Sequence, residues 1–155
     1  KHVVNSRTVT AIEPLDEAER VLSRESGLQG LSGGLNDLRD VEAQAAQGNP
    51  RARVAFDVLA HEARRWIGGY YLELNGADAL VFTGGIGENS TAVRAAIARN
   101  LDQLGIELDA AVNGQTRGRE GVLSTPTSRV KVLVIPANEE LVVAREVRRH
   151  LEQSS

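Results

Sequence analysis

Three glycines and a serine carry the first suggestion of chemistry in this sequence. In Asp78-Ala79-Leu80-Val81-Phe82-Thr83-Gly84-Gly85-Ile86-Gly87-Glu88-Asn89-Ser90, an apolar run meets Gly84, Gly85 and Gly87 and then Ser90. Glycine takes positive φ without strain and puts no Cβ between the backbone and a ligand. Backbone N–H groups at such a bend, with the positive end of a helix dipole behind them, suit a nucleotide or another anion. Ser90 is a good N-cap for a helix predicted over Thr91–Asn100. The same glycines also make a plain strand-to-helix connection, and spacing alone leaves both readings open.

A second loop of the same kind lies downstream. Val130-Lys131-Val132-Leu133-Val134-Ile135 reads as a buried strand, broken by Pro136-Ala137-Asn138, and Glu139 opens an amphipathic helix to about Leu151. Ligands of open α/β sheets collect outside the carboxyl ends of the strands, so the two loops are expected to face one site. Glu139 and Glu140 either complement the helix dipole or offer a carboxylate to Mg²⁺ beside phosphates. Asp37 is a helix cap or, with Arg39, part of a phosphate or base contact, because the guanidinium presents a planar donor fork. His2 and His150 read as solvated, and His61 as a helix-surface residue. Trp66 and Tyr70, at helical spacing, read as packing residues.

The elements that must position these residues alternate. Residues 1–15 favour strand until Pro14. Asp16–Leu22 is predicted as a short helix with acidic residues in its first turn. Ser26–Gly34 is predicted as a turn-rich loop. Asn36 or Asp37 caps a helix to about Gln47, and Gly48 stops it. Asn49-Pro50 starts the longest helix, to about Leu74. Its apolar residues lie on more than one face (Val54, Val58, Leu59, Ala63 and Ile67; Phe56, Ala60 and Tyr70), which predicts a largely buried helix. Gly68-Gly69 would permit a close contact. The buried strand Ala79–Thr83 follows. Leu104–Leu108 reads as extended and residues 113–121 as a surface loop. The alternation predicts a layered α/β domain.

Composition excludes several classes. A chain of 155 residues can bury a real core, and 41% hydrophobic with 25% charged residues is ordinary for a globular protein. The absence of cysteine removes disulfides, thiolate nucleophiles and cysteine-ligated zinc, and fits a cytoplasmic protein. A net charge of −3 without basic patches argues against nucleic acid. No apolar run approaches the roughly 20 residues that span a bilayer, so no membrane partner is expected. A chain that starts at Lys1 and contains no methionine is expected to be a fragment or a processed product.

Four segments together carry a specific resemblance. The stretch 78–90 with Val93-Arg94 is similar to the signature of the acetate kinase family. Ser26–Gly33 with Asp37-Leu38-Arg39-Asp40, Arg65-Trp66-Ile67-Gly68-Gly69-Tyr70, and Val134–Leu141 resemble three further family motifs, in order and in register over residues 23–150. Residues 1–15 match poorly, so residues 16–155 would be the domain. The resemblance implies an actin-like, sugar-kinase-like (ribonuclease H-like) α/β ATPase fold, one half of a two-domain kinase. This chain would be the C-terminal, nucleotide-binding half of a homodimeric enzyme that makes acetyl phosphate and ADP from ATP and acetate. Propionate or butyrate are alternative substrates. A non-catalytic dimerisation or binding module is the rival from another class.

Family positions carry over residue by residue. Gly84, Gly85, Ile86, Gly87 and Glu88 would contact adenosine, and Asp37, Leu38 and Arg39 would lie along the nucleotide. Glu139 would be the Mg²⁺ position, a choice over Glu140 that only the resemblance makes. The family's catalytic arginine, histidine and aspartate belong to its N-terminal domain. They have no counterpart here, and neither does its acetate pocket. No catalytic residue is therefore assigned, and the isolated chain is expected to be inactive. Trp66, where the family usually has tyrosine, reads as a tolerated packing change.

Overall fold

The computed structural model describes residues 15–153, with the side chains of Glu139 and Gln153 excepted. The strand-like reading of residues 1–14 lies outside the described residues, as does His2. The chain divides after Leu59 into two compact units.

The first unit is helical. Helix α1 (Leu15–Arg20) leads into a π-helical turn at Val21–Glu25. The segment predicted as a loop instead forms a helix, α2 (Gly27–Ser32). It closes on Gly33 at φ +86°, and Gly33 and Gly34 both donate to the Gln29 carbonyl. Left-handed glycine at a helix end satisfies carbonyls the helix cannot, which is why these glycines terminate a helix rather than prevent it. Helix α3 (Leu38–Ala46) follows, and Gly48 at φ +90° comes after it as expected. Leu38, Val41, Ala52, Ala55 and Phe56 are buried.

Helix α4 (Pro50–Glu73) starts as the sequence predicts: Asn49 Oδ1 accepts from the amides of Arg51 (3.0 Å) and Ala52 (3.2 Å). Its expected burial is not found. The buried stripe is Ala52, Ala55, Phe56 and Ala60, while Val54, Val58, Trp66, Tyr70 and Leu72 are exposed. One face of a helix suffices to bury a 3.6-period stripe, and the remaining apolar residues are left uncovered among the described residues. Trp66 and Tyr70 stack on each other at 6.1 Å rather than entering a core. Gly68 and Gly69 have open space where a Cβ would stand, so no close contact explains them.

The second unit holds a three-stranded sheet in the order β1 (Ala79–Phe82), β3 (Lys131–Val134), β2 (Gly121–Val122). β1 and β3 are parallel, with Leu80 opposite Val132 and Phe82 opposite Val134; β2 runs antiparallel to β3. Period-two alternation sorts the sheet into two faces. Phe82, Val132 and Val134 face a core that also takes Val93, Ile97, Ala98, Ile106, Leu123 and Val130. Val81 and Val122 are exposed, so the β1 run predicted to be covered is buried on one face only.

Between β1 and β3 lie α5 (Gly84–Asn89), α6 (Thr91–Ala98), a 3₁₀ turn at Asp102–Leu104, and α7 (Ala110–Gln115). Ser90 caps α6 as predicted, accepting from the Val93 amide at 3.0 Å. The predicted extended piece is a single bridge, Leu108 to Ser124, and the predicted 113–121 loop contains the end of α7 and the start of β2. Tyr71 Oη donates to the Leu104 carbonyl, and Arg64 donates to those of Ile97 and Arg99, which fixes α4 beside α6 within this unit. Helix α8 (Glu139–Gln153) closes the described chain, with Leu141, Val142, Val143, Val147 and Leu151 exposed. No described helix is long and apolar enough to cross a membrane.

Candidate functional site

The glycine segment is a helix, not an open bend. Thr83 is its N-cap in extended geometry, and the threonine side chain makes no cap hydrogen bond. The three glycines then do three different things. Gly84 alone takes positive φ, at +70°. Gly85 has open space where a Cβ would point. At Gly87 a Cβ would stand 3.2 Å from the Phe82 carbonyl carbon and 3.4 Å from its Cα, so this glycine lets the helix rest on the strand it follows. The sequence-based expectation of free backbone and a clear ligand path thus fits Gly84 and Gly85, while Gly87 serves packing. Ile86 is 47% exposed.

The far end of this helix is tied at four successive carbonyls, those of Gly85 to Glu88. Asn89 Nδ2 donates to Gly85 O at 2.9 Å, and the Ser90 amide to Ile86 O at 2.9 Å. Arg94 Nη1 donates to Gly87 O (2.8 Å) and Glu88 O (2.9 Å), and the Gly118 amide also reaches Glu88 O. Three of the four carbonyls that the helix cannot satisfy for itself, those of Ile86, Gly87 and Glu88, are thus accounted for. A six-residue helix with three glycines has poor intrinsic propensity, so these ties hold it.

Arg94 is the residue that sequence reasoning left without a role. It is fully buried, and among the described residues no carboxylate meets it. Its other donors go to Asn113 Oδ1 (2.8 Å), Asn113 O (3.2 Å) and Thr116 O (2.5 Å). Burial lowers its pKa and the Arg117 charge adds to that, yet a guanidinium stays protonated in proteins. Asn113 Nδ2 in turn donates to Thr91 O, and Asn113 and Thr116 are themselves buried. Two signals pointed here. Asp109 before Ala110-Ala111-Val112 is an N-cap pattern, and Asp109 Oδ1 accepts from both Ala111 and Val112 amides. Arg94 also sits inside the apolar run of α6, where a charge facing inward needs partners.

The two strand-end turns meet as expected. Phe82 and Val134 are register partners, and the Ile135 amide donates to Phe82 O at 3.0 Å. From that common edge Glu88 Oε1 accepts from the Ala137 amide at 2.8 Å. Asn138 Oδ1 accepts from the Leu141 amide and caps α8, so Glu139 is the first residue of that helix. Among the described residues, no group of three or more His, Asp or Glu side chains is placed to hold a metal ion.

Asp37, Leu38 and Arg39 belong to the first unit. The cap reading of Asp37 is the one its hydrogen bonds carry. It caps α3, with Oδ1 accepting from the Arg39 amide at 2.8 Å. Its carboxylate also takes the Arg39 fork, through Nε (3.0 Å) and Nη2 (2.5 Å), and this guanidinium contact with the amide bond holds its pKa down at about 2. The Arg39 side chain is 88% exposed, and Leu38 is buried. Arg39 is thus pre-oriented by its neighbour with its outer edge open to solvent.

Comparison with known proteins agrees with this geometry. A sequence model of the Acetokinase family matches residues 3–145. The acetate kinase of Moorella thermoacetica is 50% identical over 130 residues, covering 84% of this chain and 32% of that protein. The crystal structure of Porphyromonas gingivalis acetate kinase superimposes with a TM-score of 0.82 at 34% identity, over 90% of this chain and 35% of that one. A propionate kinase structure from Francisella tularensis gives a TM-score of 0.77 at 36% identity, over 86% and 34%. The chain spans about a third of the length of the curated relatives it matches. The small mixed sheet with helices is the α/β arrangement of an actin-like ATPase domain, as the sequence resemblance implies. With the match extending from residue 3 to residue 145, this chain belongs to the Acetokinase family.

Proposed function

We propose that this chain is the C-terminal, nucleotide-binding part of a longer kinase that transfers a phosphoryl group between ATP and a short-chain carboxylate. A carboxylate oxygen of the substrate attacks the γ-phosphorus, the bond to the bridging oxygen breaks, and acyl phosphate and ADP result. The observation that carries the reading is the paired strand ends. β1 and β3 finish side by side, and the turns beyond them are joined through Glu88 and Ala137. The carboxyl edge of parallel strands is where open α/β sheets hold their ligands.

In this reading Gly84, Gly85, Ile86, Gly87 and Glu88 line the adenosine, with Gly84 and Gly85 giving the closest backbone approach. Asp37, Leu38 and Arg39 lie along the nucleotide, and Arg39 offers the exposed edge of its guanidinium. Glu139 is the Mg²⁺ contact. A single carboxylate suits that ion when phosphate oxygens and water fill its other positions, the usual arrangement for phosphate-bound magnesium. Bound Mg²⁺ would neutralise charge developing on the transferred phosphoryl group. The acetate, propionate or butyrate pocket and the catalytic side chains belong to the remainder of the longer protein, in the cytoplasm where ATP and ADP are held.

Calorimetry with ADP on the purified chain tests this. Saturable ADP binding without ATP-dependent acetyl phosphate formation is the expected result. Acyl phosphate production by the 155-residue chain would overturn the division of labour. A dimerisation module is the second reading, favoured by the exposed Leu141, Val142, Val143, Val147 and Leu151 on α8. Dimers in sedimentation with no ADP binding would select it.

A further inference from the structure

Glu88 is the residue on which three segments meet. Its carbonyl is held from within the unit by the buried Arg94 and by the Gly118 amide. Its carboxylate points the other way along the sheet edge and accepts the Ala137 amide at 2.8 Å. A carboxylate receiving a backbone N–H forms a charge-assisted bond, roughly twice as strong as a neutral one. The bond also crosses 49 positions of sequence, so it is no local cap. One residue beyond Ala137, Asn138 caps α8. Arg94, Glu88, Ala137 and Asn138 therefore form a continuous line from the α7 backbone to the entrance of α8.

We propose that Glu88 is a positioning residue whose carboxylate couples the glycine helix α5 to the entrance of α8, so that the two move as one piece. The bond stands on its own geometry; its consequence for a nucleotide rests on the function proposed above. A ligand that restrains Gly84–Glu88 then also restrains Ala137–Leu141, which contains Glu139. The backbone of Glu88 is fixed by the buried Arg94, which leaves the side chain as the member of the line that can be removed without emptying the core.

Residue-resolved amide exchange on the full chain, with and without ADP, tests the coupling in wild type, Glu88→Ala and Glu88→Gln. In the wild type, ADP slows exchange in both Gly85–Asn89 and Ala137–Leu141. Glu88→Ala speeds exchange of the Ala137 amide about tenfold, the loss of one charge-assisted bond. At ADP concentrations that saturate the variant's glycine helix, whatever the change in affinity, it abolishes the ADP response of residues 137–141. Glu88→Gln retains the Oε1 acceptor and brings the Ala137 amide back to within a few-fold of wild type. Should Glu88→Ala not fold, Glu88→Asp carries the same expectation, since its carboxylate is one methylene too short.

An unchanged Ala137 amide in a folded Glu88→Ala protein overturns the proposal. So does exchange that speeds evenly along the chain while both segments keep their shared response to ADP, which is what a merely stabilising contact would give. If ADP slows neither segment in the wild type, the nucleotide reading fails, and the Ala137 amide in Glu88→Ala still decides the coupling.

Discussion

Two glycine-rich segments of this chain share one device and differ in where it is placed. Helix α2 and helix α5 are each six residues long and rich in glycine, and each has an arginine gathering its backbone carbonyls. At α2, Arg51 donates to Gly30 O (3.0 Å) and Leu31 O (3.4 Å) and lies against Gly33, where a Cβ would stand 3.1 Å from its guanidinium carbon. At α5, Arg94 takes Gly87 O and Glu88 O and spends its remaining donors on α7. Arg51 is exposed, whereas Arg94 is fully buried. Water can replace Arg51 at its carbonyls, whereas the Arg94 bonds to Asn113 and Thr116 are buried and those to Gly87 and Glu88 partly so. The same hydrogen bonds are thus a convenience at one segment and a requirement at the other, because an unmade bond is costly only where solvent is excluded.

Replacing Arg94 tests that contrast most severely. Arg94→Met keeps much of the volume and removes the side-chain donor from Gly87 O, Asn113 Oδ1 and Thr116 O, while Glu88 O and Asn113 O keep the amides of Gly118 and Thr116. Chemical denaturation should show a loss of about 3–5 kcal/mol, the range for breaking a buried charged network. A loss under about 1 kcal/mol would place Arg94 on a level with exposed side chains. That result would remove the difference between the two segments.

Local signals made the frame legible and tertiary ones hid the rest. Ala79–Phe82, Lys131–Val134, the Ser90 cap and the Asn49-Pro50 helix start can each be read from a few neighbouring residues, and each is where the sequence puts it. Both glycine segments read as loops in the sequence and are helices in the structure for one reason: glycine propensity argues against helix, and the arginines that overrule it lie 7 or 21 positions away. Helix α7 is hidden in the sequence although Asp109 announces it, because Asn113, Gly114 and Arg117 to Arg119 resemble loop composition. The exposure of Val54, Val58 and Val81 was also out of reach, since periodicity reports which residues share a face and not whether anything covers it. Of the candidate site, the meeting of the two strand ends was legible. The division of labour among Gly84, Gly85 and Gly87 was not, because it depends on how close Phe82 lies.

That division gives a comparison inside α5 itself. Gly87→Ala sets the helix gain of a methyl group against its 3.2 Å approach to the Phe82 backbone, which belongs to a paired strand and has little room to move. Overpacking of this kind costs about 1–3 kcal/mol against about 1 kcal/mol of propensity, so a net loss of about 1 kcal/mol is expected. Gly85→Ala meets open space at negative φ and should stabilise by about 0.5 kcal/mol. Thermal melts of the two variants should therefore move in opposite directions. Equal shifts would mean that α5 does not rest on β1 as closely as the packing at Gly87 requires.

The smallest effect belongs to Arg51, and its size is what makes the first contrast informative. Arg51→Met removes the donors to Gly30 O and Leu31 O while keeping an unbranched apolar stem over Gly33. Both carbonyls can turn to water, and α2 keeps its own closure, because Gly33 and Gly34 still donate to Gln29 O and Ser32 Oγ still bonds Leu35. A change within about 1 kcal/mol is expected, as for exposed polar contacts generally. Denaturation curves for Arg51→Met and Arg94→Met, measured side by side, then separate burial from bond count. A loss at Arg51 comparable to that at Arg94 would show that the carbonyls of α2 are as cut off from water as those of α5. The close approach of the guanidinium to Gly33 would then be a packing contact that the exposure of Arg51 understates.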